Sequence, residues 1–119
     1  MLILTGLACT GAVNLVQVQS GNAPNKPLFV LTDTTGRGPA GTIYGFSVIP
    51  CGTDTPVWQL VASGTNGAPS RFAYGDSIPG YVTRIGPVPL RSGCYDVYVT
   101  DGRRVRFHVD AAGHVQTAR

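Results

Sequence analysis

The sequence contains no glutamate, and Lys26 is its only lysine. All six acidic residues are aspartates, and eight of the nine basic ones are arginines. Good helix formers are therefore scarce, because helix propensity must come from Ala and Leu, which here alternate with Gly, Pro, Thr and Val. Charge is also sparse. Charged residues make up 13% of the chain against 43% hydrophobic, with a net charge of +3, a balance that excludes intrinsic disorder. No apolar run approaches the roughly 18 residues of a membrane-spanning helix. A Cys-x-x-Cys pair and a Gly-x-Ser-x-Gly elbow are both missing, which takes away the short signatures of zinc sites and of α/β-hydrolases.

What is present is Gly (16), Pro (9), Arg and β-branched residues in a chain of 119, a length suited to one domain with a real core. The basic pI of 9.0 does not by itself point to nucleic acid. Folded nucleic-acid readers combine a dense Lys/Arg face with a known motif, and the sequence has neither.

Short apolar segments recur with turn residues between them: Ala12 to Val18, Pro27 to Leu31, Thr42 to Ile49, Val57 to Ala62, Arg71 to Tyr74, Tyr81 to Ile85, Tyr95 to Thr100 and Val105 to Val109. None keeps a helical period. Seven or eight such runs at intervals of about ten residues predict a small antiparallel all-β sandwich with almost no helix. The three prolines of Pro79 to Arg91 place that segment at a sheet edge or in a long crossing connection.

The best-specified unit is CYDVYVTDGRRVRFHVD, Cys94 to Asp110, which reads as a β-hairpin. A two-residue Asp101-Gly102 turn would mix polar and apolar residues on both surfaces. A Thr100-Asp101-Gly102 loop with Gly102 in a G1 bulge instead sets Val97 opposite Val105 and Tyr95 opposite Phe107 on one apolar face. The other face then carries Asp96 opposite Arg106 and Tyr98 opposite Arg104, facing water, with His108 beside Cys94.

MLILTGLA followed by Cys9 resembles the end of a bacterial lipoprotein signal peptide, with Leu4, Leu7 and Ala8 in the apolar region and cleavage box. A basic leader is missing and Gly6 replaces the usual Leu. The resemblance implies that residues 1–11 are an apolar leader, that Cys9 carries the lipid, and that residues 12–119 form one sandwich domain. The alternative reading is a first strand over Leu2 to Leu7 with Cys9 a buried thiol. Cys51 and Cys94 each lie where a predicted strand meets a turn, and in an exported chain they are expected to form a disulfide. Trp58 sits on the more apolar side of its strand, with Leu60 and Ala62, and is expected in the core. A core Trp over an inter-sheet disulfide resembles the immunoglobulin architecture in outline, although the Trp follows Cys51 by only seven residues.

No catalytic residue, metal site or cofactor is expected. His108 and His114, with Asp110 between them, have no third obvious ligand, because a turn at Ala111 to Gly113 breaks the strand register, and they are read as solvated strand residues. Arg103, Arg104 and Arg106, with Arg84 and Arg91 near them, are a candidate basic patch for phosphate, acidic glycan or lipid headgroups, against the plainer reading of a charged edge that discourages aggregation. Tyr74, Tyr81, Tyr95 and Tyr98 make a carbohydrate platform if two lie exposed and coplanar, and core packing otherwise. The expectation is a noncatalytic binding or assembly module of the cell envelope. Its partner is another protein or an envelope component, its tether a lipid on Cys9, and its alternative role a subunit that self-assembles by strand addition.

Overall fold

The computed structural model describes residues 14–64, 69–100 and 104–117. These form nine strands and no helix: β1 (Leu15–Gln19), β2 (Leu28–Thr32), β3 (Gly45–Pro50), β4 (Trp58–Ala62), β5 (Arg71–Ala73), β6 (Tyr81–Ile85), β7 (Gly93–Val99), β8 (Val105–Val109) and β9 (Val115–Thr117). All pairings are antiparallel. A three-stranded sheet has the order β1-β2-β5, and a six-stranded sheet has the order β6-β4-β3-β7-β8-β9. The all-β sandwich architecture read from the spacing of the apolar runs is what the chain adopts.

The hairpin of β7 and β8 has the expected register, with Tyr95 opposite Phe107, Asp96 opposite Arg106 and Val97 opposite Val105. Its Asp101 to Arg103 tip, including the Gly102 bulge, lies outside the described residues. Strand β6 is an edge, as its flanking prolines required. Strand β9 was not anticipated. It returns through a turn in which Asp110 Oδ1 accepts from the Ala112 and His114 amides, both at 2.9 Å, and then pairs with β8.

The core lies between the sheets and is built on aromatics. Phe29 of β2 is fully buried, and its ring meets Phe46 at 5.0 Å edge-on and Phe72 at 5.5 Å. Trp58, also fully buried, meets Phe46 at 5.4 Å and Tyr74 at 5.0 Å. Edge-to-face pairs of this kind contribute about 0.5–1.5 kcal/mol each beyond the area they bury. Tyr95 stacks on Phe107 at 5.5 Å, while its hydroxyl accepts from the Arg91 amide and donates to the Arg91 carbonyl, both at 3.0 Å. A tyrosine near the start of a strand that bonds back four residues has the geometry of a tyrosine corner, and here it holds the long connection from β6 against β7.

Cys51 and Cys94 form a disulfide with Cα atoms 5.4 Å apart. It joins the end of β3 to the start of β7, which are neighbours in one sheet. The inter-sheet placement drawn from immunoglobulin domains is therefore corrected: the bridge links Cys94 of the six-stranded sheet to Cys51, the residue just after β3 of the same sheet, and Trp58 packs in the core without depending on a bridge across it. The bond is consistent with an oxidising environment.

Candidate functional site

Strand alternation sorts the six-stranded sheet into two faces. Phe46, Val48, Trp58, Leu60, Val97 and Phe107 turn toward the smaller sheet and are buried. The register then sets the outer face in rows. Val82 lies beside Val61 and Gly45, and Ile85 beside Gln59, Ser47 and Tyr98. Ile49 lies beside Asp96 and Arg106, and Cys94 beside His108 and Gln116. Half of this face is apolar and open. Val82 is 54% exposed, Tyr98 40% and Ile85 36%. Val88, 48% exposed, adjoins the same edge through its amide, which donates to Val57 O at 2.9 Å. Gly86 permits this approach, because with φ of +72° it passes so near Val57 O that a Cβ there would collide.

These four are all but one of the large exposed hydrophobic residues among the described residues, the fifth being Tyr44. Val82 and Ile85 share the β6 edge, while Gln59 and Ser47 lie between Ile85 and Tyr98 in their row. Scattered exposed apolar side chains are ordinary, but several on one sheet face make it a candidate interaction surface. The sequence reading set Tyr98 on a water-facing surface but missed Val82, Ile85 and Val88. Tyr81 to Ile85 was legible as a strand, but nothing local reveals which of its faces a neighbouring sheet leaves uncovered.

The other half of the face is charged. Arg106 grips Asp96 through two bonds, Nε to Oδ1 at 2.9 Å and Nη2 to Oδ2 at 3.1 Å. The expected solvation of this face holds for Arg104 but not for Asp96, which is only 5% exposed. Hydrogen bonding from Arg106 is the main cause that holds the Asp96 carboxyl below its ordinary value of 3.8, against the opposing effect of burial. The pair thus contributes stability that is fully present above the unfolded carboxyl's pKa and is lost as pH falls through the lower folded value. Urea melts should show stability declining below about pH 4. Arg106→Ala, which leaves the carboxylate without its partner, should lower stability near neutral pH and flatten that decline.

Of the arginines named for a candidate basic patch, Arg84 and Arg91 lie away from the β7–β8 hairpin. Arg106 is engaged by Asp96, and Arg103 lies outside the described residues. Arg84 on β6 is separated from β8 by β4, β3 and β7, so sheet order keeps it about 19 Å away. Arg91 belongs to the connection that Tyr95 pins. Sequence neighbourhood could not show this, because β6 precedes β7 in the chain yet joins the far edge of the sheet.

Of the four tyrosines, three spend their hydroxyls on backbone. Tyr74 donates to Val88 O at 2.6 Å, Tyr81 to Ile43 O at 2.7 Å and Tyr95 to Arg91 O. Burial is the main cause that raises the Tyr74 and Tyr81 hydroxyl pKa values. Tyr98 alone of the four is exposed. His114 Nδ1 stands 3.6 Å from Asp110 Oδ2, while His108 lies on the outer face beside Cys94, and the described residues hold no group of three metal-ligating side chains. Cys9 lies outside the described residues. No protein-family model, curated protein or solved structure matches the chain. The class it defines is a small disulfide-bonded β-sandwich with an open apolar sheet face.

Proposed function

We propose that this protein is a noncatalytic binding or assembly module of the bacterial cell envelope, tethered through a lipid on Cys9, and that its working surface is the outer face of the six-stranded sheet. The observation that carries the reading is the set of Val82, Ile85, Val88 and Tyr98, exposed together on and beside one sheet face. The Cys51–Cys94 disulfide supports an exported location. A second reading, a subunit that polymerises by strand addition, is favoured by β6, which among the described residues is a terminal strand of the larger sheet and carries the exposed Val82 and Ile85.

The test is site-specific photocrosslinking in the native cells, with the photoreactive residue at position 82 or, as a control, at the exposed Asp54, followed by mass spectrometry of the captured chain. An envelope protein joined at 82 and not at 54, on a chain that begins at an acylated Cys9, is the expected result. Adducts to a second copy would favour strand addition. No adduct at 82 would overturn both readings of the face. Val82→Asp with Ile85→Asp should abolish the adduct formed from a reporter at position 98 while shifting stability by no more than about 0.5 kcal/mol, as for other surface changes.

A further inference from the structure

The smaller sheet carries a separate concave feature on its outer side. A cleft of about 420 Å³ is lined by Leu28 and Ala73 of β2 and β5, by Gln19 at the end of β1, and by Asn22, Lys26 and Arg71. Among the described residues none that lines it is acidic. Lys26 and Arg71 take part in no salt bridge among the described residues.

The wall of this cleft, residues 20–27, is held from three directions. The Asn25 amide donates to Gly113 O at 3.0 Å, and the Tyr74 amide donates to Pro27 O at 2.9 Å. Ser20 Oγ accepts from the Val115 amide at 2.9 Å and donates to Val115 O at 3.4 Å. Gly113, at φ +87°, lets the β8–β9 turn close on Pro24, where a Cβ would collide. The cleft is therefore shaped by the fold before any ligand arrives, which removes much of the ordering cost of binding. Beyond Arg71 the depression continues to Arg37, since a second hollow is lined by both arginines.

We propose that this cleft binds an anionic sugar residue. Lys26 and Arg71 supply the charge that a carboxylate or sulfate group requires, Arg with a planar fork matched to two oxygens. The amides of Gln19 and Asn22 each offer donors and an acceptor, the pairing that sugar hydroxyls need. Leu28 and Ala73 provide a small apolar surface for ring C–H groups. The volume lies within the range of small-molecule sites. None of the described residues that line the cleft is aromatic, unlike the base-stacking platforms of single-stranded nucleic-acid sites. Arg37 allows the next charged residue of an acidic chain to be held as well. None of this depends on the apolar face of the other sheet.

The experiment is a titration of the full chain, followed by backbone amide NMR shifts, with methyl glucuronide, glucose 6-sulfate, methyl glucoside and inorganic sulfate at one ionic strength. Saturable shifts at Gln19, Asn22, Leu28 and Arg71 with one or both anionic sugars are expected, and which of them binds more tightly identifies the preferred acid group. The combined Lys26→Gln and Arg71→Gln variant should weaken binding at least roughly ten-fold while keeping the spectrum of a folded protein, and Arg104→Gln should leave it unchanged. Absence of saturable shifts, equal binding of methyl glucoside, or equal binding of sulfate alone would each overturn the proposal.

Discussion

Replacing Cys51 and Cys94 together with alanine is expected to lower stability by about 4 kcal/mol. The two residues are 43 apart in sequence, and cross-linking a loop of that length removes about this much conformational freedom from the unfolded chain in the entropic account of disulfides. The folded state should change little. β3 and β7 are already neighbours, and the Cys51 amide donates to Cys94 O at 3.0 Å, a backbone bond that does not itself require the sulfurs. Most of the effect therefore lies in the unfolded ensemble. For a domain whose total stability is of order 5–15 kcal/mol, the loss is a large share, equivalent to a fall in melting temperature of roughly 15 °C. Thermal unfolding by circular dichroism, with and without reductant, checks it. Reduced wild type should match the double variant, and a difference of less than about 1 kcal/mol between oxidised wild type and variant would show that the bond does not constrain the unfolded chain. A domain that depends on this bond is suited to an oxidising compartment, so the measurement bears on location as well as stability.

Local chemistry and tertiary arrangement were unequally legible in the sequence. The β7–β8 register could be worked out because one pairing alone separates Tyr95, Val97, Val105 and Phe107 from Asp96, Tyr98, Arg104 and Arg106, and the pairing observed for the described residues is that one. Trp58 was placed in the core by alternation, and it is fully buried. Strand β9 escaped notice because three residues, Val115, Gln116 and Thr117, carry too little periodicity to register, and only pairing with β8 makes them a strand. The disulfide's position within one sheet depends on strand order, which distant contacts decide. The same holds for the two surfaces. Lys26 and Arg71 are 45 positions apart and meet only because β2 pairs with β5, while Val82 and Ile85 look like core residues until the sheet face they occupy proves to be open. Asp96 is the converse case: its partner was read correctly, but its burial follows from how closely Arg106 lies over it.

Trp58→Ala should be as damaging as loss of the disulfide, costing about 4 kcal/mol, because the indole is wholly buried and the aromatic cluster around it cannot collapse fully into the space. Phe29, Phe46, Phe72 and Tyr74 all lie against it, so the void would be lined by rings from both sheets. Trp58→Phe should behave differently. Among the described residues the indole Nε1 is buried without a hydrogen-bond partner, so the wild type bears the cost of a desolvated donor that phenylalanine would not have. Against that gain stands a smaller cavity than alanine leaves, and the balance is an expected loss of about 1–2 kcal/mol. Urea denaturation followed by circular dichroism distinguishes the cases, since both variants lack the only tryptophan and hence its fluorescence. A phenylalanine variant as unstable as the alanine one would mean that the lost ring volume outweighs relief of the unpaired N–H. One as stable as wild type would mean that the N–H is the main burden at this position, and that the core tolerates Trp58 for its size alone.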